Sequence, residues 1–339
     1  MLFRSDVAWK HTPADLTPFS RGEGPGESGR ALARLESAGV EGGLSISTRK
    51  PDWLRPKVQL GADVLAMKRT VREHGLVTVC EEAGCPNLSE CWASGTATFM
   101  VLGERCSRAC GFCLVDTRKP MAPAIDEPER VAAAVAGSSV RHAVLTMVAR
   151  DDLDDGGFAH VAECVRAIRE RSPGTSVETL VSDAKGDDAS LNLLFDVQPD
   201  VFNHNIETVA RLQRAVRPSA GYARSLSVLA RAKAVGLTTK SGLMVGLGES
   251  VDEVDGLLFD LASIGVDIVT IGQYLRPTSH HLPVARWVEP AEFTRWAQLG
   301  ESLGITHVEA SPLTRSSYHA KEAAEQVTPA VTPVALGRR

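Results

Sequence analysis

Cys106-Ser107-Arg108-Ala109-Cys110-Gly111-Phe112-Cys113 puts three thiols in a C-x3-C-x2-C spacing, with an aromatic just before the last cysteine. Thiolates this close can hold three corners of an iron–sulfur cube. A cluster that only carries electrons normally has four protein ligands. Three leave one iron open to a small molecule. The alternatives are a zinc knuckle, which needs a fourth ligand and usually C-x2-C pairs, and a structural disulfide.

A second array precedes the first. Cys80, Cys85 and Cys91 form C-x4-C-x5-C, too loose for a zinc knuckle and again one ligand short. Of the seven cysteines, only Cys164 lies outside the two arrays, and it reads as a small buried apolar residue. Clustered cysteines in a reducing compartment point to metal or catalysis more than to disulfides. Near the other end stands Arg315-Ser316-Ser317-Tyr318. A serine pair taken alone would be a turn or a helix cap.

The Cys106–Cys113 spacing with its aromatic resembles the signature of the radical S-adenosylmethionine (SAM) enzymes. The order and separation of the two arrays, together with the Arg-Ser-Ser-Tyr motif, resemble the lipoyl synthase family within them, over roughly residues 50–320. The resemblance implies two [4Fe–4S] clusters. One is held by Cys106, Cys110 and Cys113 and takes SAM at its open iron. The auxiliary one is held by Cys80, Cys85, Cys91 and Ser317. It also implies the substrate, an octanoyl group on a lysine of a lipoyl carrier domain, such as the glycine cleavage H protein or a 2-oxoacid dehydrogenase E2. Two sulfur atoms replace hydrogen at C6 and C8, two SAM molecules are used per lipoyl group, and the auxiliary cluster donates the sulfur. An electron donor such as flavodoxin or ferredoxin, and an iron–sulfur carrier, are the further partners. Ser317 and Arg315 are the expected catalytic residues. Phe112, Thr146, Asn203, Asn205 and Arg217 are the expected cofactor-side residues.

Composition is ordinary for a soluble globular protein. The chain has 339 residues, 43% hydrophobic and 23% charged, with a net charge of -5. The acidic balance argues against a basic nucleic-acid face. No stretch reaches the roughly 18 apolar residues of a membrane span. The first residues lack a secretion signal's apolar core and carry Asp6, Asp15, Glu23 and Glu27, so a cytoplasmic location is expected. Gly246-Leu247-Gly248-Glu249 is not a dinucleotide fingerprint, there is no P-loop, and Asp151–Gly157 does not fit calcium-loop spacing.

The elements that must position these residues alternate. Apolar stretches at 98–102, 142–148, 176–181, 200–202, 238–245 and 267–271 read as six strands. Residues 127–136, 158–171, 188–196, 206–215, 223–235, 251–264 and 290–303 carry helical spacing. Such alternation implies an α/β fold with parallel strands. The pattern alone fits an open doubly wound sheet or a partial barrel. The resemblance chooses a partial (β/α)6 barrel of the radical SAM type, with an N-terminal cluster-binding extension and a C-terminal capping segment. The Cys106–Cys113 loop then follows the first strand, at the mouth where such barrels carry chemistry. The expected divisions are a mostly disordered leader over 1–48 with a short helix at Ala31–Ser37, the extension over 49–96, the barrel over 97–304, and a capping segment with frayed tail over 305–339. Residues 178–183 lack the proline often found before the family's aspartate, and Ala149 and Phe158 replace more usual residues. These departures leave Glu178 and Asp183 without an assigned role.

Two other readings compete. A methylthiotransferase or biotin-synthase-like sulfur inserter would share the central array but not the Arg315–Tyr318 strip. A two-cluster electron carrier would need four ligands per cluster and no large α/β scaffold.

Overall fold

The computed structural model describes residues 27–56, 61–82 and 85–327. The expected leader's residues 1–26 and the tail's 328–339 lie outside them.

The chain builds one eight-stranded sheet whose order follows the sequence: β1 (Val77–Thr78), β2 (Thr96–Val101), β3 (His142–Met147), β4 (Ser176–Leu180), β5 (Val201–Asn203), β6 (Thr239–Val245), β7 (Ile268–Gln273) and β8 (His307–Ala310). β1 is antiparallel to β2, and every other pair is parallel. β1 and β8 do not pair, so the barrel is open. The six expected strands are all present. β1 and β8 are additions, and β8 lies inside the stretch expected only to cap.

Strand register sorts the side chains. Thr98, Val144, Glu178 and Val201 are neighbours across β2 to β5, and Asn203, Lys240, Ile268 and His307 across β5 to β8. Glu178 reaches Lys240 two strands away, which makes this face the concave one. The alternate residues Phe99, Val101, Leu145 and Val177 face outward, in one buried cluster with Val131, Val135, Val161, Val165 and Ile168 from the helices Glu127–Ala136 and Phe158–Arg171. Each such side chain contributes about 1.5–3 kcal/mol when fully buried.

Two expectations change. The helix expected at 206–215 begins only at Ala210, as a single 3-10 turn leading into Gln213–Val216. Glu207 instead pairs with β6: its N donates to Gly242 O and Met244 N donates to its O, both at 2.9 Å. The short helix expected inside the leader is present. Glu27–Ser37 is helical, and Leu35 and Val40 are buried in the core of the barrel's second half. The tail continues as a helix, Ala320–Val327, whose Ala323 and Ala324 pack on Val201 and Ile268. Cys80 and Trp92 of the cysteine-bearing extension share one core cluster with β2 and β3.

Candidate active site

β2 ends in a turn that takes Leu102 and Gly103 to φ 70° and 88°, and the cysteine loop follows. Its backbone is tied on all sides. Cys106 N donates to Asp116 O (2.8 Å), Ser107 N to Ala149 O (2.9 Å), Gly111 N to Val216 O (2.8 Å) and Leu282 N to Gly111 O (3.0 Å). A Cβ on Gly111 would stand 2.8 Å from the Leu282 side chain, so glycine permits this approach. His281 Nε2 lies 3.0 Å from Cys113 O, and its Nδ1 is 2.8 Å from the Thr278 hydroxyl. Burial holds this imidazole below its ordinary pKa, so the neutral ring donates from Nε2 to the carbonyl.

Cys106, Cys110 and Cys113 are free and near enough to act on one another electrostatically. Burial pushes Cys110 up to about 11 and Cys113 up to about 12. Three soft donors on one clamped loop suit a metal–sulfide cluster, whose binding would displace the protons.

The second cysteine set lies over β1 and β2. Cys80 sits on the short helix Val79–Glu82, Cys91 on Leu88–Ser94, and Cys85 between them. The Cys85 thiol is drawn down by its hydrogen bond with Cys80, with Arg315 also lowering it, while Cys80 moves up. Burial drives Cys91 to about 12. The strip carrying Arg315-Ser316-Ser317-Tyr318 runs alongside. Asn87 Nδ2 donates to Leu313 O (2.8 Å), Tyr318 Oη to Glu90 (3.2 Å), and Cys91 Sγ lies 3.9 Å from the Ser317 carbonyl. His319 Nδ1 lies 3.0 Å from Glu309 on β8. On its other side the strip crosses Gly272, where a Cβ would stand 2.1 Å from Thr314 O. The three thiols therefore lie beside the strip that carries Ser317, whose carbonyl oxygen approaches Cys91 Sγ.

At the mouth, Asn205 Nδ2 donates to Ser316 Oγ (2.6 Å) and Glu207 Oε1 (3.1 Å). Arg217 Nη1 donates to the carbonyls of Asn205 (2.8 Å) and Ile206 (3.1 Å), next to Cys110. Phe112 packs half-buried on the core, and Thr146 stands one residue before the end of β3, on the concave face. Asn203 sits one layer deeper, fully buried, with Nδ2 on Glu178 Oε1 (2.7 Å). The Oδ1 atoms of Asn203 and Asn205 are buried acceptors without a partner. Such orphaned oxygens suit a small ligand bearing hydroxyl or ammonium donors.

Several residues with a part in this geometry were not foreseen. Glu207 has φ 68°, a backbone strain that clusters at functional sites, and its buried carboxyl is pushed upward in pKa. Its only sequence signal was its place in the Asn203–Thr208 stretch. Glu90 and Glu309 hold the second cysteine region and gave no signal of their own, while His281, at the first, was legible only as part of the stretch 281–284 that matches the family.

The radical SAM superfamily pattern matches residues 100–261. A lipoyl synthase of Rubrobacter xylanophilus is 53% identical over 278 residues, 81% of this chain and 87% of that protein. A lipoyl synthase of Methylococcus capsulatus is 49% identical over 315 residues, 92% and 96% of the two chains. Among solved structures, methylornithine synthase aligns with a TM-score of 0.48 and 12% identity, over 79% of this chain and 76% of that one.

Proposed function

The chain belongs to the lipoyl synthase family of the radical SAM superfamily, and from that premise we propose how its residues divide the work of a sulfurtransferase that uses SAM and [4Fe–4S] clusters. The substrate is the octanoyl group on a lysine of a lipoyl carrier domain, on the glycine cleavage H protein or a 2-oxoacid dehydrogenase E2. Its C6 and C8 hydrogens have no acidity, so acid–base catalysis cannot begin the reaction. When bound, SAM at a three-cysteine cluster supplies a primary carbon radical that takes those hydrogens, and a second cluster supplies the sulfur.

The rest falls to the chain. Cys106, Cys110 and Cys113 hold the SAM-side cluster, and Cys80, Cys85, Cys91 and Ser317 hold the second. Arg315 stands beside Cys85 as a counter-charge for the second site. Phe112, Thr146, Asn205 and Arg217 line the SAM side, and Asn203 supports them from below. The Arg315–Tyr318 strip excludes water from the space between the sites. Flavodoxin or ferredoxin delivers the electrons, and an iron–sulfur carrier restores the second cluster.

The observation that carries this reading is the meeting of the chain's two ends, with the Ser317 carbonyl 3.9 Å from Cys91 Sγ. The test is anaerobic reconstitution followed by assay with an octanoyl-lysine peptide. About eight irons per chain are expected, with 5′-deoxyadenosine and a lipoyl product formed. Cys110→Ala should abolish SAM cleavage. Cys85→Ala should abolish sulfur insertion alone. About four irons in the wild type, or product without the second cysteine set, would overturn the assignment.

A further inference from the structure

Arg108 lies between two cysteines of the array, and nothing above gives it a task. Its side chain is only 4% exposed, within a cage of charge. Nε and Nη2 donate to the two carboxylate oxygens of Asp151, both at 2.8 Å. Nη2 also lies 2.7 Å from Asp183 Oδ1. Asp183, wholly buried, is held in turn by Arg224 Nη1 (3.2 Å) and by Lys185 N (3.2 Å). The Ser107 hydroxyl accepts from Asp151 N and donates to Ala149 O, both at 2.9 Å, closing the same clasp from the next residue. The main-chain N–H of Arg108 is thereby aimed at Cys106 Sγ, 3.4 Å away.

We propose that Arg108 is a positioning residue for the SAM-side cluster. Its fork fixes the Cys106–Cys113 loop to the ends of β3 and β4 through Asp151 and Asp183. Its charge balances those carboxylates, and its backbone N–H is held on a ligand sulfur. A planar two-pronged donor is needed, which is why lysine is no equivalent here. Hydrogen bonds to the sulfurs and net charge nearby set the potential of an iron–sulfur cluster. Removing the cation while two carboxylates stay should therefore make the cluster harder to reduce. Removing one carboxylate while the cation stays should make it easier.

The inference rests on the assignment of Cys106, Cys110 and Cys113 as cluster ligands, and the test separates the two. The full chain, reconstituted with iron and sulfide, is compared as wild type, Arg108→Gln, Arg108→Lys and Asp183→Asn. The readouts are iron content, the reduction midpoint of the SAM-responsive paramagnetic signal, and the rate of 5′-deoxyadenosine formation. Arg108→Gln should shift the midpoint to more negative potential and Asp183→Asn to more positive. Both should slow SAM cleavage about 10- to 100-fold, as outer-shell changes at metal sites do. Arg108→Lys should leave the midpoint near that of the wild type but slow the reaction, because charge survives and the fork does not. Midpoints that stay put, or that move in one direction in both Gln and Asn variants, would overturn the proposal. So would equal loss of both clusters from Arg108→Lys and Asp183→Asn, which would reduce the clasp to a folding element. A wild type with no SAM-responsive signal would instead defeat the ligand assignment beneath it.

Discussion

Asn205 and Ser316, 111 residues apart in the chain, meet in a hydrogen bond of 2.6 Å. It joins the loop after β5 to the strip that carries Ser317. The same amide nitrogen also serves Glu207 at 3.1 Å. Asn205→Ala removes both bonds, at about 1 kcal/mol each, so sulfur insertion should fall about ten- to thirtyfold with iron content unchanged. Ser316→Ala removes one and should cost about fivefold. Lipoyl product formed per chain measures both. Equal, wild-type rates would show that the link does not couple the sites.

In the proposed assignment Ser317 is the hard ligand in a soft set. Oxygen matches iron–sulfide less well than thiolate does. Ser317→Ala should therefore release about one iron per chain and abolish lipoyl product while 5′-deoxyadenosine still forms. Ser317→Cys should keep about eight irons but insert sulfur more slowly, because that iron is held more tightly. Mass spectrometry of the intact protein and product analysis would check both. An unchanged Ser317→Cys rate would remove the reason for a serine.

What the sequence made legible was whatever depends on local pattern. Parallel strands buried on both faces read as apolar runs, so β2 to β7 were plain. The two cysteine arrays and the Arg315–Tyr318 motif were legible as spacing. β8 was not, because its short run His307–Ala310 turns His307 and Glu309 toward the concave side and lacks an apolar stretch. The helix Ala320–Val327 was masked by Pro329 and Pro333, which lie beyond it. Glu207's left-handed backbone is imposed by pairing with β6, a tertiary cause that no periodicity carries. Arg108 stood in view inside the array, but its task depends on Asp151 and Asp183, which only the folded strands bring to it.

Glu178 and Lys240 form an ion pair at 2.9 Å inside the barrel, both wholly buried. Burial alone would raise the carboxyl's pKa. Lys240, with His142 and Asn203, outweighs it and holds the group down at about 2, against an ordinary 4.5. A depressed acid stabilises the fold fully above its unfolded pKa and loses that stabilisation as pH falls through the folded one. Unfolding free energy should thus drop by about 3 kcal/mol between about pH 4.5 and pH 2. Lys240→Met should cost about 3–5 kcal/mol at neutral pH, because it strands a buried charge. Its slope should reverse, since protonation then relieves the carboxylate. Urea midpoints measured across pH would decide, and parallel curves for the two proteins would refute the pairing's role.

Gly272 is where the strip and the barrel wall come closest. A Cβ there would stand 2.1 Å from Thr314 O and 3.1 Å from Arg315 Nη1. The first of these is main chain, so it cannot rotate away, and Gly272→Ala must push the strip outward. Overpacking of this kind costs about 1–3 kcal/mol. The displaced strip should carry Ser317 off Cys91, lowering iron retention at the second site and product formation, while SAM cleavage persists. Gly256 is the control. It lies in the helix Val251–Ser263 with nothing within 4 Å of its Cβ position. Gly256→Ala should stabilise by about 0.5–1 kcal/mol through helix propensity and leave both activities intact. Thermal melting, iron content and the ratio of lipoyl product to 5′-deoxyadenosine measure the pair. If Gly272→Ala matched Gly256→Ala in all three, the close passage of the strip over β7 would have no part in holding Ser317.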